Sequence, residues 1–330
     1  MPEATTGTVV LVVLAALVFD YINGFHDTAN AIATSVSTRV LTPRQAVLMS
    51  GALNFVGALL STGVAATIGK GIVNPSSVTL TILLAGLLAA ILWNLITWYY
   101  GIPSSSSHAL IGGILGAALA AHGWSVVEPT AYSKVLLPLL VSPPAGLAAG
   151  FLMMSLLYIL LRNWTPARVN AWFSKFQILS AAWMSLTHGL NDAQKSMGII
   201  TVALVAAGAL PSFQVPLWVK LVAAITMAAG TAAGGWRIIH TLGVRMIRLA
   251  PVHGFASEFA AATIISLASV FKMPVSTTHV IASSVMGVGS AKNVRQVRWV
   301  IATEIIIAMF VTIPATSVLA GALYEVIRLL

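Results

Sequence analysis

Continuous apolar runs decide what this chain can fold into. Leu80–Ile91 holds no charged residue, and Ile301–Phe310 is apolar apart from Thr303 and Glu304. Neither run alternates with the period of two that a membrane barrel needs, so each reads as a helix that is apolar all round. Charged residues make up 8% of the chain, against about a quarter in a soluble domain. Such a surface cannot face water, which excludes soluble enzymes, nucleic-acid binders and disordered modules. The sequence predicts an all-α integral membrane protein embedded in a lipid bilayer. Without cysteine there is no disulfide framework or thiolate ligand, and neither a metal site nor a cofactor is predicted.

Seventeen Lys and Arg stand against eight acids, and eleven of the seventeen fall in four groups: Arg39/Arg44, Arg162/Arg168/Lys175, Arg237/Arg245/Arg248 and Lys292/Arg295/Arg298. Cytoplasmic loops collect Lys and Arg, so the groups should share one face. Ten spans satisfy this, near 8–35, 44–68, 79–100, 106–122, 133–161, 178–209, 217–237, 256–271, 276–291 and 299–327. Both termini then lie outside the cytoplasm, in a multi-pass protein of the cell (plasma or inner) membrane. The shortest of these segments fall below the roughly 20 residues needed to cross, so broken or re-entrant helices are expected. The start Met1-Pro2-Glu3 lacks a basic lead-in, so the first apolar segment reads as a span and not as a signal peptide. Residues 164–175 carry Trp164, Trp172 and Phe173 among basic groups, a pattern for a helix lying in the interface.

The chain repeats itself. Pro103-Ser-Ser-Ser-Ser-His108 returns as Pro274-Val-Ser-Thr-Thr-His279, and Asn23-Gly-Phe-His-Asp-Thr-Ala-Asn30 returns as His188-Gly-Leu-Asn-Asp-Ala-Gln-Lys195. Two matches in the same order at nearly the same offset predict two copies, 1–161 and 178–330, joined by a cytoplasmic link over 162–177. Five helices per copy is an odd number, so the second copy enters the membrane inverted. Inverted repeats of this kind place a binding site near the midplane and suit alternating access.

Asp27 follows twelve largely apolar residues, Thr8–Phe19, and then the start of a polar run. Twelve helical residues rise about 18 Å, roughly half a bilayer core. Gly24 is available there to break the helix, and Asp192 has the same setting. Carboxylates at that depth are costly and mark ion paths or cavities. Carboxylate and amide oxygens suit a sodium ion or a proton, with His26, Asn30 and Asn191 close by. Lys195 stands where the first copy has Asn30, and either pairs with Asp192 or holds an anion. Each hydroxyl motif follows a proline, as at a helix N-terminus, where free N–H groups and the dipole attract an anion. A tetrahedral oxyanion fits between two such starts. His108 and His279 are candidate donors, proton carriers or gating groups. Glu258 and Glu304 are expected near the cytoplasmic ends of spans, either reaching the interface or pairing with Arg298 or Arg245; Asn54, Asn94 and Gln194 as interhelical bonding groups; Trp93, Trp98, Tyr99 and Tyr100 as an interfacial belt.

Together these motifs resemble those of the inorganic phosphate transporter (PiT) family of membrane symporters, from about residue 18 to the C-terminus and in the same order. The resemblance implies phosphate import coupled to sodium or to protons, the latter often with phosphate as a neutral metal complex. It implies that Asp27 and Asp192 hold the coupling ion, beside Asn23 and Asn191. It puts Ser105, Ser106, Ser107, Ser276, Thr277 and Thr278 around phosphate, with Asn30 and Lys195 as further substrate groups. Sodium-coupled relatives carry Asn in both signature copies, whereas Lys195 supplies a fixed positive charge and favours protons. The short 162–177 link, in place of a large hydrophilic insertion, marks a bacterial-type member. The expected function is phosphate symport by alternating access, with phosphate, lipid and, as an admissible state, a second copy as partners. The alternative is a sulfate permease of the same fold. An intramembrane hydrolase using a hydroxyl from Ser104–Ser107 with His108 and Asp27 is a remote reading, because a triad is defined by geometry and a hydrolase needs only one copy of the motif.

Overall fold

The computed structural model describes residues 6–329, so Met1-Pro2-Glu3 and the termini proper lie outside the described residues. Within that range the chain is helical: α1 Thr6–Ser37, α2 Pro43–Leu60, α3 Gly63–Gly71, α4 Leu80–Tyr100, α5 Ser106–His122, α6 Leu137–Leu160, α7 Pro166–Ala206, α8 Leu217–Ala233, α9 Trp236–His240, α10 Pro251–Val270, α11 Thr277–Ser290 and α12 Trp299–Ile327. A single Val73–Val127 bridge is the one β contact among the described residues. By length and composition α1, α4, α6 with its preceding turn, and α12 can each cross a membrane. Two bent pairs add up to two more spans: α2 with α3 at 70°, and α8 with Trp236–Arg245 at 59°. By that measure the described residues hold four to six candidate spans, against the ten expected. At 17 and 14 residues, α5 and α11 are half-helices, while α7 and α10 carry polar positions that keep them below the same standard.

Breaks occur where backbone chemistry demands them. Gly101 closes α4 in the left-handed region, at φ 68, and Gly234 does so after α8, at φ 76; both torsions suit glycine. The predicted break at Gly24 does not occur, because α1 and α7 run unbroken through Asp27 and Asp192. One glycine costs a helix only about 1 kcal/mol, too little to break one packed on several sides. Gly24 instead allows close approach: a Cβ there would lie 2.6 Å from Met227 O on α8. Its counterpart Gly189 sits so close to α2 that a Cβ would lie 2.2 Å from Asn54 O.

Neighbours in space are often distant in sequence. α1 packs on α8, α7 on α2, α5 on α12 and α11 on α6. The buried apolar residues form two large clusters, one on each side of a polar layer. α1 enters the first with Val12–Ile22 and the second with Ala29–Ala33; α7 meets the second at Met184 and the first at Ala193–Ala203. The two signature helices are thus antiparallel. α7 already begins at Pro166 under a Thr165 cap, so most of the 162–177 stretch is its first three turns, with Phe173 buried there and Trp172 and Phe176 exposed. Tyr99 and Tyr100 are exposed as expected of a belt, whereas Trp93 turns inward to donate to Thr312 Oγ1 at 3.2 Å.

Candidate functional site

On α1 the spacing 23, 26, 27, 30, 34 puts Asn23, His26, Asp27, Asn30 and Thr34 along one helical stripe, and all five are buried. On α7 the same logic aligns His188, Asp192 and Lys195, each without solvent exposure. Where these antiparallel stripes cross, the starts of α5 and α11 arrive. Ser105 and Ser276 spend their hydroxyls as caps, each accepting from a backbone N–H three residues on, His108 N and His279 N, at 3.1 Å. That leaves Ser106, Thr277 and Thr278, in the first turns, to point at the stripes.

The contacts cross between helices. Ser106 Oγ lies 2.6 Å from Asp27 Oδ2 and 2.5 Å from Asn23 Oδ1 and has one proton for the two. Lys195 Nζ donates to Ser106 Oγ at 3.3 Å and pairs with Asp192 Oδ2 at 3.1 Å. Thr277 donates to Asp192 Oδ2 at 3.1 Å and Thr278 to Asp27 Oδ1 at 3.2 Å. Asn30 Nδ2 reaches Thr278 Oγ1 at 3.0 Å and Thr277 Oγ1 at 3.3 Å. Asp192 Oδ1 and Asn30 Oδ1 are buried with no hydrogen-bond partner among the described residues. One ligand atom each from Asp27, His188 and Asp192 lies within 4.8 Å of the others.

Besides the capping Ser105 and Ser276, four expected members stand apart. Ser107 Oγ donates to Val275 O at 3.1 Å, tying α5 to the loop before α11. Asn191 turns away from the carboxylates to donate to Ser269 on α10, at 3.3 Å. His108 and His279 face each other with ring centres 4.6 Å apart. Both line an otherwise largely apolar cavity of about 570 Å3 with Leu136, Pro143 and Phe310.

Sequence reasoning passed over His188, whose Nε2 lies 3.3 Å from Asp192 Oδ2 and whose Nδ1 meets Asn54 Oδ1 at 3.2 Å. The i, i+4 spacing to Asp192 was the available signal. Asn54 bridges α2 to Thr231 on α8 at 2.9 Å, and Gln194 accepts from Ala65 N at 3.0 Å, as interhelical groups should; Asn94 has no side-chain partner among the described residues. Glu258 corrects its expectation. It is fully buried and is bonded by Thr34, Ser180 and Gln177 instead of pairing with an arginine at a span end. Glu304 is exposed.

A model of the phosphate transporter family matches residues 23–320. A Bacillus subtilis (strain 168) protein named a probable low-affinity inorganic phosphate transporter is 46% identical over 324 residues, covering 97% of either chain. A Rhizobium meliloti (strain 1021) protein of the same name is 44% identical over 314 residues, covering 94% of each. A solved structure entitled "The sodium-dependent phosphate transporter" superposes with a TM-score of 0.88 at 25% identity, over 98% of this chain and 100% of that one.

Proposed function

The chain belongs to the phosphate transporter family, and on that premise we propose that it imports inorganic phosphate in symport with protons, by alternating access between two inverted repeats, 1–161 and 178–330. It is a multi-pass membrane transporter and not an enzyme. One observation carries the reading: hydroxyls from two helix starts and carboxylates from two antiparallel helices meet in one buried cluster. The antiparallel course of α1 and α7, and the matching close contacts at Gly24 and Gly189, support the inversion. The half-helices α5 and α11 play the re-entrant part, and the Arg39-bearing face is the cytoplasmic one, in the cell membrane.

Ser106, Thr277, Thr278 and the Asn30 amide bind phosphate, which competes for hydrogen bonds these groups now make with one another. Asp192 Oδ1 and Asn30 Oδ1 select the ligand. Near neutral pH phosphate keeps a proton and can donate to an acceptor; sulfate cannot, and would leave two buried acceptors facing its lone pairs. Asp27 and Asp192 take the coupling charge. The solved neighbour is named sodium-dependent, yet here Lys195 Nζ already lies 3.1 Å from Asp192 Oδ2 and supplies the positive charge that a bound sodium would bring. The two carboxylates face one ammonium and two imidazoles, His26 Nδ1 lying 2.6 Å from Asp27 Oδ1 and His188 Nε2 3.3 Å from Asp192 Oδ2. An anion entering it needs a compensating proton or, as a neutral complex, a divalent cation carried between Asp27, His188 and Asp192.

Uptake of labelled phosphate into proteoliposomes, under separately imposed proton and sodium gradients, tests this reading. Proton-driven, sodium-independent uptake is expected, with weak competition by sulfate. Uptake driven by sodium alone would refute the coupling ion, and equal competition by sulfate would refute the selectivity.

A further inference from the structure

Away from the central cluster, positive charge without an acidic partner gathers where α8 breaks. From Gly234 the chain runs beside α1 toward the Arg39-bearing end, Gly235 packing on Phe25 O and Gly243 on Ala33 O. Along this segment Trp236, Arg237, His240 and Val244 are exposed and Arg245 is half-buried, at a spacing that puts them on one helical face. Together with Tyr99 and Tyr100 at the end of α4, Arg237, His240 and Arg245 line an open cleft of about 400 Å3.

Both walls of the cleft come from stretches without acid. No Asp or Glu occurs between Asp27 and Glu128, or between Asp192 and Glu258. Among the described residues no acid pairs with Arg237 or Arg245. Arg237 is nevertheless held in place. Its Nη1 donates to Tyr99 O, and its guanidinium carbon lies 5.2 Å from the Trp98 ring centre and 4.8 Å from that of Tyr99. A guanidinium carries five N–H donors, so the oriented fork still offers several to an oxyanion, in the geometry that suits phosphate.

The surroundings of the cleft decide which anion fits. Toward the middle of α4, Leu92, Ile96 and Tyr99 follow one another at helical spacing and are all exposed, and Trp236 and Val244 are exposed on the facing segment. In a bilayer this apolar strip meets acyl chains. A cationic cleft at the head of such a strip matches a phospholipid, its phosphate on the arginines and a chain along the helix, as in basic pockets between spans that hold lipid headgroups. Two arginines with no acid beside them favour a lipid of net negative charge over a zwitterionic one.

We propose that this cleft binds the headgroup phosphate of an anionic phospholipid, with an acyl chain along α4, and that the bound lipid braces the turn leading into α5. Bracing follows from Thr241, whose hydroxyl donates to Gly101 O at 2.9 Å. The segment that carries both arginines thus also holds the turn two residues before Pro103, and through it the helix start at Ser106. The site is separate from the groups that take phosphate and the coupling charge.

The test follows thermal unfolding of the full-length protein in neutral detergent, titrated with phosphatidylglycerol, phosphatidylcholine or inorganic phosphate. Wild type is compared with Arg237→Gln, Arg245→Gln and, as a control elsewhere on the basic face, Lys292→Gln. A ligand of the folded state raises the melting temperature. Phosphatidylglycerol is expected to act on wild type at lower concentration than phosphatidylcholine. Each arginine variant should need about fivefold more of it, the share of one basic residue at an anionic membrane surface, and Lys292→Gln should match wild type. Phosphate uptake by wild type should be faster in vesicles containing phosphatidylglycerol than in phosphatidylcholine alone, and that gain should vanish in Arg245→Gln. Should Arg237→Gln fail to fold for want of its bond to Tyr99, Arg245→Gln alone decides. Equal responses to the two lipids, or an unshifted titration in Arg245→Gln, would overturn the proposal. An equal loss in Lys292→Gln would overturn it in favour of a diffuse basic face. A response to inorganic phosphate that disappears in Arg245→Gln would assign the cleft to the free anion instead, and uptake indifferent to phosphatidylglycerol would refute the bracing.

Discussion

Lys195→Asn separates the two ways in which the cluster can be neutralised. The substitution gives α7 the residue that α1 has at Asn30 and removes the ammonium 3.1 Å from Asp192 Oδ2. At that distance two unit charges interact by about 5 kcal/mol with an effective dielectric constant near 20. Loss of one partner of a buried pair typically costs about 3–5 kcal/mol, because the other charge stays buried alone. The variant is therefore less stable in a buffer of large organic cations. Sodium should restore part of the loss, since a ligand at a hundred times its dissociation constant returns about 2.7 kcal/mol. Thermal unfolding in detergent, with sodium or choline, measures this directly. The expected result is a melting temperature that rises with sodium in Lys195→Asn and is flat in wild type. Phosphate uptake by the variant should become sodium-stimulated in parallel. A variant as stable as wild type in choline, with uptake unmoved by sodium, would refute the idea that Lys195 stands in for a cation.

Three further outcomes follow from the same geometry. Asp27→Asn keeps the shape that Ser106 and Thr278 bond to, so it should elute from size exclusion as wild type does while gradient-driven uptake falls at least tenfold. Ser106→Ala combined with Thr277→Ala removes two hydroxyls; a hydrogen bond to a charged group contributes about 1.5–3 kcal/mol, so the KM for phosphate should rise by roughly a hundredfold or more, and an unchanged KM would exclude both groups from the substrate site. Gly189→Ala would set a Cβ 2.2 Å from Asn54 O and should force α7 from α2, seen as lost yield of folded protein, whereas Gly321→Ala, whose nearest contact would be at 3.6 Å, should fold normally.

The helical class and the central cluster could be read from the chain because both rest on local pattern. Apolar runs without alternation mean membrane helices, and a motif that occurs twice points to symmetry-related chemistry, so Asp27, Asp192, Ser106 and Thr277 could be singled out without knowing their distances. What escaped depends on packing. Whether Gly24 breaks a helix or admits a neighbour depends on where α8 lies, which no local signal encodes. Glu258 looked like an interfacial acid because a few residues separate it from the end of its span; its burial comes from Thr34 and Ser180, on helices far away in the sequence. His108 and His279 stand out beside their hydroxyl motifs, yet their rings face each other because Ser105 and Ser276 are used as caps and turn the following residues away from the carboxylates.

The crossed pattern of bonds also bears on how the proposed transport cycle can work. Asn30, from the first half, holds the hydroxyls that open α11 in the second. Lys195, from the second half, holds the hydroxyl that opens α5 in the first. Each helix start is gripped as well by the aspartate of its own half, Ser106 by Asp27 and Thr277 by Asp192. A phosphate entering between the starts therefore competes with bonds within each half and with bonds between the halves at once. In the proposed cycle, displacing the bonds between halves would free one repeat to move against the other; protonating Asp192 would weaken a bond within its half, and protonating Asp27 one within its half and one to Thr278 of the other. Substrate and proton then act on shared bonds of one network, so that each changes the free energy with which the other binds.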